Sequence, residues 1–157
     1  MKAKLFPVLI LLISLFSCNE EDLTPEAKLQ GSYQSVTEVS GAWGAGRFDY
    51  VNTFDFRSDG TFYREDVTRN PGSDEVLGHR MYGSGTYTVI DGIVKILYDE
   101  LYVMNVVDVN YWPKEGLILT ETDGNYEDYS ILENYKKLEY VCPPNAFCIS
   151  LPYIKVQ

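Results

Sequence analysis

The chain has 157 residues, with 23 acidic against 13 basic side chains and a formal net charge of −10. That balance excludes nucleic acid as a partner, because phosphates need a basic face. It also excludes charge-driven docking on an anionic membrane surface. The length fits one domain with a single core.

Residues 1–17 have the order of an export leader: Lys2 and Lys4, an apolar run from Leu5 to Phe16, and Ser17 ahead of Cys18. The run is too short for a membrane span, which needs about 20 apolar residues. A cysteine directly after the expected cut offers a thiol for lipidation. Cys18 is therefore read as the first, lipidated residue of a bacterial lipoprotein, with the lipid as its membrane link. Cleavage would remove two lysines and no acid, leaving 140 residues with net charge −12. The resemblance to bacterial lipoproteins implies more. Asn19 after the cysteine implies the outer membrane of a Gram-negative cell, and Glu20-Glu21-Asp22 resembles an acidic surface-export signal. The alternative for this run is a solvated linker on a periplasm-facing protein.

Residues 18–28 are expected to form a tether ending in a short helix. Thr24 is its cap, Pro25 its first residue and Glu26 its first-turn acid. Beyond Gly31 the chain is rich in Tyr, Val, Thr, Phe and Ile, with turn residues every 8–12 positions, which predicts an all-β domain. The expected strands are 31–39, 48–57, 61–69, 76–82, 85–90, 93–98, 101–111, 117–122 and 126–137. Ser58-Asp59-Gly60 is expected to be a three-residue loop with Gly60 left-handed, pairing Phe56 with Phe62 and placing Phe54 on the same face. Asp91-Gly92 predicts a two-residue type I′ hairpin, with Tyr87, Val89, Val94 and Ile96 toward the core. Pro113-Lys114-Glu115-Gly116 and Asp123-Gly124-Asn125 supply two further turns, the second joining 117–122 to 126–137 as a hairpin. Eight or nine antiparallel strands in sequence order can close as an up-and-down barrel.

Leu29-Gln30-Gly31-Ser32-Tyr33, Phe54-Asp55-Phe56-Arg57-Ser58-Asp59-Gly60-Thr61-Phe62, Gly85-Thr86-Tyr87-Thr88-Val89 before Asp91-Gly92, and Leu117-Ile118-Leu119-Thr120 together resemble the lipocalin-like domains of bacterial lipoproteins. The likeness covers roughly 29–137. It implies a barrel of about eight strands, placed here at 29–141, in which Gly31-Ser32-Tyr33 stands where lipocalins carry G-x-W. The lipocalin arginine near the last strand has no clear counterpart. A small apolar or amphipathic ligand inside the barrel follows as an expectation. Its candidate contacts are Phe54, Phe56, Phe62, Tyr87, Val89, Val94 and Ile96, with Trp43 and Trp112 at loops. The alternative is a non-catalytic surface module with a filled core, contacting protein or glycan through Trp43, Trp112 and exposed tyrosines.

With Cys18 lipidated, Cys142 and Cys148 remain as a pair in an oxidising compartment. Pro143-Pro144-Asn145-Ala146-Phe147 between them suits a disulfide, which would stabilise by about 2 kcal/mol, with a free thiol pair as the alternative. Residues 142–157 are expected to be an appendage to the barrel. No catalytic group, metal or cofactor is expected. His79 is the only histidine and reads as an exposed strand or loop residue. Asp99/Glu100 and Glu127/Asp128 are strand neighbours that point to opposite faces, and read as solvated turn residues. Gly41-Ala42-Trp43-Gly44-Ala45-Gly46 lacks the Lys-Ser/Thr ending of a phosphate loop.

Overall fold

A computed structural model describes residues 23–41, 46–122, 126–149 and 151–156. Cys18, Trp43 and the Asp123-Gly124-Asn125 turn lie outside the described residues. Thr24 caps helix α1 (Pro25–Leu29), its Oγ1 accepting from the Ala27 N–H at 3.2 Å. Leu29 is fully buried.

Among the described residues nine strands follow: β1 (Gly31–Ser40), β2 (Arg47–Phe56), β3 (Thr61–Arg69), β4 (Val76–Ile90), β5 (Ile93–Val103), β6 (Ile118–Thr120), β7 (Tyr126–Leu132), β8 (Lys137–Tyr140) and β9 (Tyr153–Val156). Every pairing is antiparallel. β1 to β5 follow one another, and β6 and β7 both lie on the far edge of β5, opposite Leu101–Val103 and Ile93–Leu97 respectively. β8 follows β7, and β9 joins β8 to β1. The sheet therefore closes as an eight-stave up-and-down barrel, with β6 and β7 as one interrupted stave. Closure removes the exposed edges that an open sheet of this length would carry.

The turn chemistry fixes the register as expected at two hairpins. Asp91 (φ 51°) and Gly92 (φ 76°) turn β4 into β5, pairing Val89 with Val94 and Tyr87 with Ile96. Gly60 (φ 82°) ends the three-residue loop that pairs Phe56 with Phe62. Phe54, Phe56, Phe62, Tyr87, Val94 and Ile96 are buried together, with Val89 packed at the margin.

Four expectations are corrected. The strands placed at 76–82 and 85–90 are one strand, because Gly83 and Gly85 do not break it. They let β5 approach instead: a Cβ on Gly85 would fall 2.0 Å from the Leu97 carbonyl oxygen. The strands placed at 93–98 and 101–111 likewise merge into β5, which ends at Val103. Residues 117–122 do not pair with 126–137, since β6 and β7 share one edge of β5. The hairpin lies further on, at Glu133-Asn134-Tyr135, all three at positive φ, between β7 and β8. Finally, the last strand is no appendage. Tyr153–Val156 is a stave of the barrel, held by three residue pairs with β1 and two with β8.

The connections sort the molecule into two ends. The 57–61 loop, the 91–92 turn, the 133–136 turn and α1 lie at one end, where the Tyr87 hydroxyl donates to the Arg57 carbonyl (2.6 Å) and the Lys155 Nζ to the Lys28 carbonyl (3.0 Å). The longer connections 70–75, 104–117 and, from its described residues, 141–149 lie at the other end.

Candidate functional site

The interior is built in layers. At the α1 end Tyr33 is fully buried, and its hydroxyl donates to the Tyr135 carbonyl at 2.7 Å. The Lys155 ammonium sits 5.3 Å from its ring centre, so a lysine on the last strand covers the base residue. Above Tyr33 comes an aromatic layer. Phe54 on β2 meets Tyr129 on β7 at 5.4 Å and Tyr153 on β9 at 5.0 Å between ring centres, while Phe62 on β3 meets Tyr98 on β5 at 5.2 Å. β2 and β7 are four staves apart in either direction. Rings from opposite walls therefore touch across the axis, and no lumen is left at that level.

The next layer is ionic. Strand alternation carries Phe62, Arg64 and Asp66 to the same side of β3, and the Arg64 guanidinium lies 5.0 Å over the Phe54 ring. Its Nε and Nη2 donate to the two Asp66 oxygens (3.1 and 2.9 Å). Nη1 donates to the Tyr98 hydroxyl (2.8 Å) and to Glu127 (3.0 Å). The Tyr129 hydroxyl donates to Glu127 at 2.6 Å. Burial works against the charge on Arg64, but Asp66, Tyr98, Tyr153 and Glu127 outweigh it and hold its pKa above the usual range. Burial also pushes Tyr98 and Tyr129 upward and Tyr153 up to about 12, so these hydroxyls stay protonated and available as donors. Both carboxylates are thus committed to one guanidinium. Glu127 is corrected from a solvated turn residue to an interior one. Its neighbour Asp128 faces outward to Lys95 at 3.0 Å, as alternation requires.

At the loop end the 104–117 connection folds back over the rim. The Asn110 carbonyl accepts from the fully buried Thr68 hydroxyl at 2.8 Å, and Trp112 bridges His79 through two backbone bonds of 2.9 Å. Outside the wall, Lys114 clamps the loop: its Nζ donates to Glu65 (2.6 Å) and to the Tyr63 hydroxyl (3.0 Å). His79 is half-buried rather than exposed, its Nε2 lying 3.3 Å from Glu65. Burial alone would raise the Glu65 pKa, but the Lys114 hydrogen bond and charge, with His79 and Tyr63, hold it below its ordinary value. Phe48, Asp108, Asn110, Tyr111 and Trp112 are among the residues that line a groove of about 610 Å³ here.

Cys142 and Cys148 form a disulfide. Their loop lifts Phe147 and Ile149 almost wholly into solvent. The structure therefore brings Phe54, Phe56, Phe62, Tyr87, Val94 and Ile96 into one core, with Val89 at its margin, and sets Trp112 apart from them at the rim. Among the described residues, no group of three or more His, Cys, Asp or Glu side chains gathers as for a metal ion. No family model, curated protein or solved structure matches this chain.

Arg64→Ala leaves Asp66 buried without its bidentate partner and is expected to cost about 3–5 kcal/mol, read from urea denaturation. Acid should release the Lys114 clamp. Since the folded pKa of Glu65 lies below its ordinary 4.5, the clamp's contribution is complete above that value and is lost as pH falls through the lowered one. Tryptophan emission should shift on acidification from pH 6 to 3, and Glu65→Gln should remove that dependence.

Proposed function

We propose that this protein is a lipid-anchored, outer-membrane lipoprotein whose barrel is a filled scaffold and whose loop end is a contact surface. One observation carries the reading. The inward side chains that a small apolar ligand would touch are engaged with one another across the axis, as at Phe54 and Tyr129. The apolar side chains left in solvent instead include a group on the loop end: Val107, Tyr111, Trp112, Phe147 and Ile149. Such residues are costly to expose and suit a binding face.

The anchor fits this arrangement. Cys18 precedes α1, so the tether leaves from the closed end and the loops project away from the membrane. Cleaved, lipidated and acidic, the protein would be held by its acyl chains rather than by a basic patch.

Native mass spectrometry of the full chain, extracted from its bacterial membrane in detergent, is expected to show the lipidated mass with no co-purifying small molecule, and no uptake of an apolar fluorescent probe by the barrel. A stoichiometric ligand displaced by such a probe would return the reading to a binding barrel. Cys18→Ala should abolish labelling by an alkyne-tagged fatty acid and move the protein to the soluble fraction. Persistent labelling would remove the anchor assignment.

A further inference from the structure

We infer that the groove beside Trp112 is a binding site for an uncharged oligosaccharide, an assignment that rests on the loop end being the contact surface. The groove is constructed rather than incidental. Trp112 is 37% exposed, yet its backbone is bonded to His79 on both sides. Its indole lies against Gly116, where a Cβ would fall 2.2 Å from Nε1. Tyr111 is seated the same way against Gly78, where a Cβ would fall 2.7 Å from its ring, and it packs edge-on to Phe48 at 6.2 Å. Two glycines and one strand bridge thus hold two half-exposed aromatic rings at the mouth of a concavity of about 610 Å³, within the size range of small-molecule sites.

Polar groups complete the chemistry. Asp108 is exposed on the lining and presents acceptors only, while Asn110 is half-buried, with its Oδ1 accepting from the Tyr50 hydroxyl at 3.4 Å. A pyranose ring has an apolar C–H face bounded by hydroxyls that both donate and accept. Aromatic faces cover the first, and a carboxylate and an amide meet the second. Among the described residues, the groove's lining contains no basic side chain, and the chain carries a net charge of −10. Phosphorylated, sulfated or uronate-bearing ligands would therefore be repelled. A protein face would need about 800 Å² on each partner, which suits a broad surface better than a recess between loop and rim.

The full chain in detergent is titrated calorimetrically with neutral glucan, mannan, galactan and xylan oligosaccharides, and with uronate oligomers as the charged comparison. At least one neutral series should bind with a Kd below about 1 mM. Uronates should bind at least about tenfold more weakly. Trp112→Ala should weaken binding by about tenfold or more. Asp108→Ala, at an exposed position, should weaken it by about fivefold without affecting folding. Absence of binding to every neutral series, preference for uronates, or binding unchanged in both variants would overturn the assignment. A protein partner captured through Trp112 with no sugar bound would overturn it too, while leaving the loop-end contact surface in place. Loss of both sugar and protein binding, with a ligand found inside the barrel, would end the wider reading as well.

Discussion

The structure depends on what Phe54 does at the barrel axis. Its ring is fully buried, touches Phe56 and Phe62 along its own side, meets Tyr153 two staves away, and reaches Tyr129 on the far wall. An eight-stave barrel has an interior just wide enough to be filled by side chains, and here aromatic rings fill it. The same ring floor supports the Arg64 guanidinium, so the ionic layer rests on an aromatic one. Each layer limits the other. Rings hold the charges away from water, and the bidentate pairing with Asp66 fixes where the rings above the base can sit.

A filled axis separates the tasks of the two ends. The α1 end has tight turns and its backbone groups are tied together by Tyr87, Tyr33 and Lys155. The opposite end carries the long connections, one clamped by Lys114 and another clasped by Cys142–Cys148. A disulfide across so short a loop limits the conformations open to Phe147 and Ile149, so little ordering entropy is lost if they meet a surface. The stretch from Val141 to Pro152 carries no charged residue, which makes it unlike the rest of an acidic chain.

Local chemistry made some of this legible from residues alone. Asp91-Gly92 and Ser58-Asp59-Gly60 state their own φ requirements, and a correct turn fixes the facing of both flanking strands. The inward phenylalanines followed from that register. Other features were hidden for physical reasons. Gly83 and Gly85 carry the residue type of a break, yet serve close approach between strands, a distinction that depends on the neighbouring strand. Glu133-Asn134-Tyr135 adopts positive φ without a glycine, so no turn signal marked it. Glu127 beside Asp128 looks like a solvated pair until Arg64 is known to lie across the interior. Trp112 was singled out as an aromatic before a proline, but its platform needs His79, Gly78 and Gly116 from separate parts of the chain.

The pairing of β9 with β1 has a consequence for how the molecule comes into being. Ser32 to Gln34 wait for Ile154 to Val156, almost the whole domain later in the chain. A chain that folds from its N-terminal side leaves β1 with one bare flank until β9 docks on it. Native assembly is then a single late event, with a high contact order and a correspondingly slow step. Until it happens, the folding intermediate displays an open strand to every other chain around it, and prompt docking of β9 becomes part of its protection against aggregation.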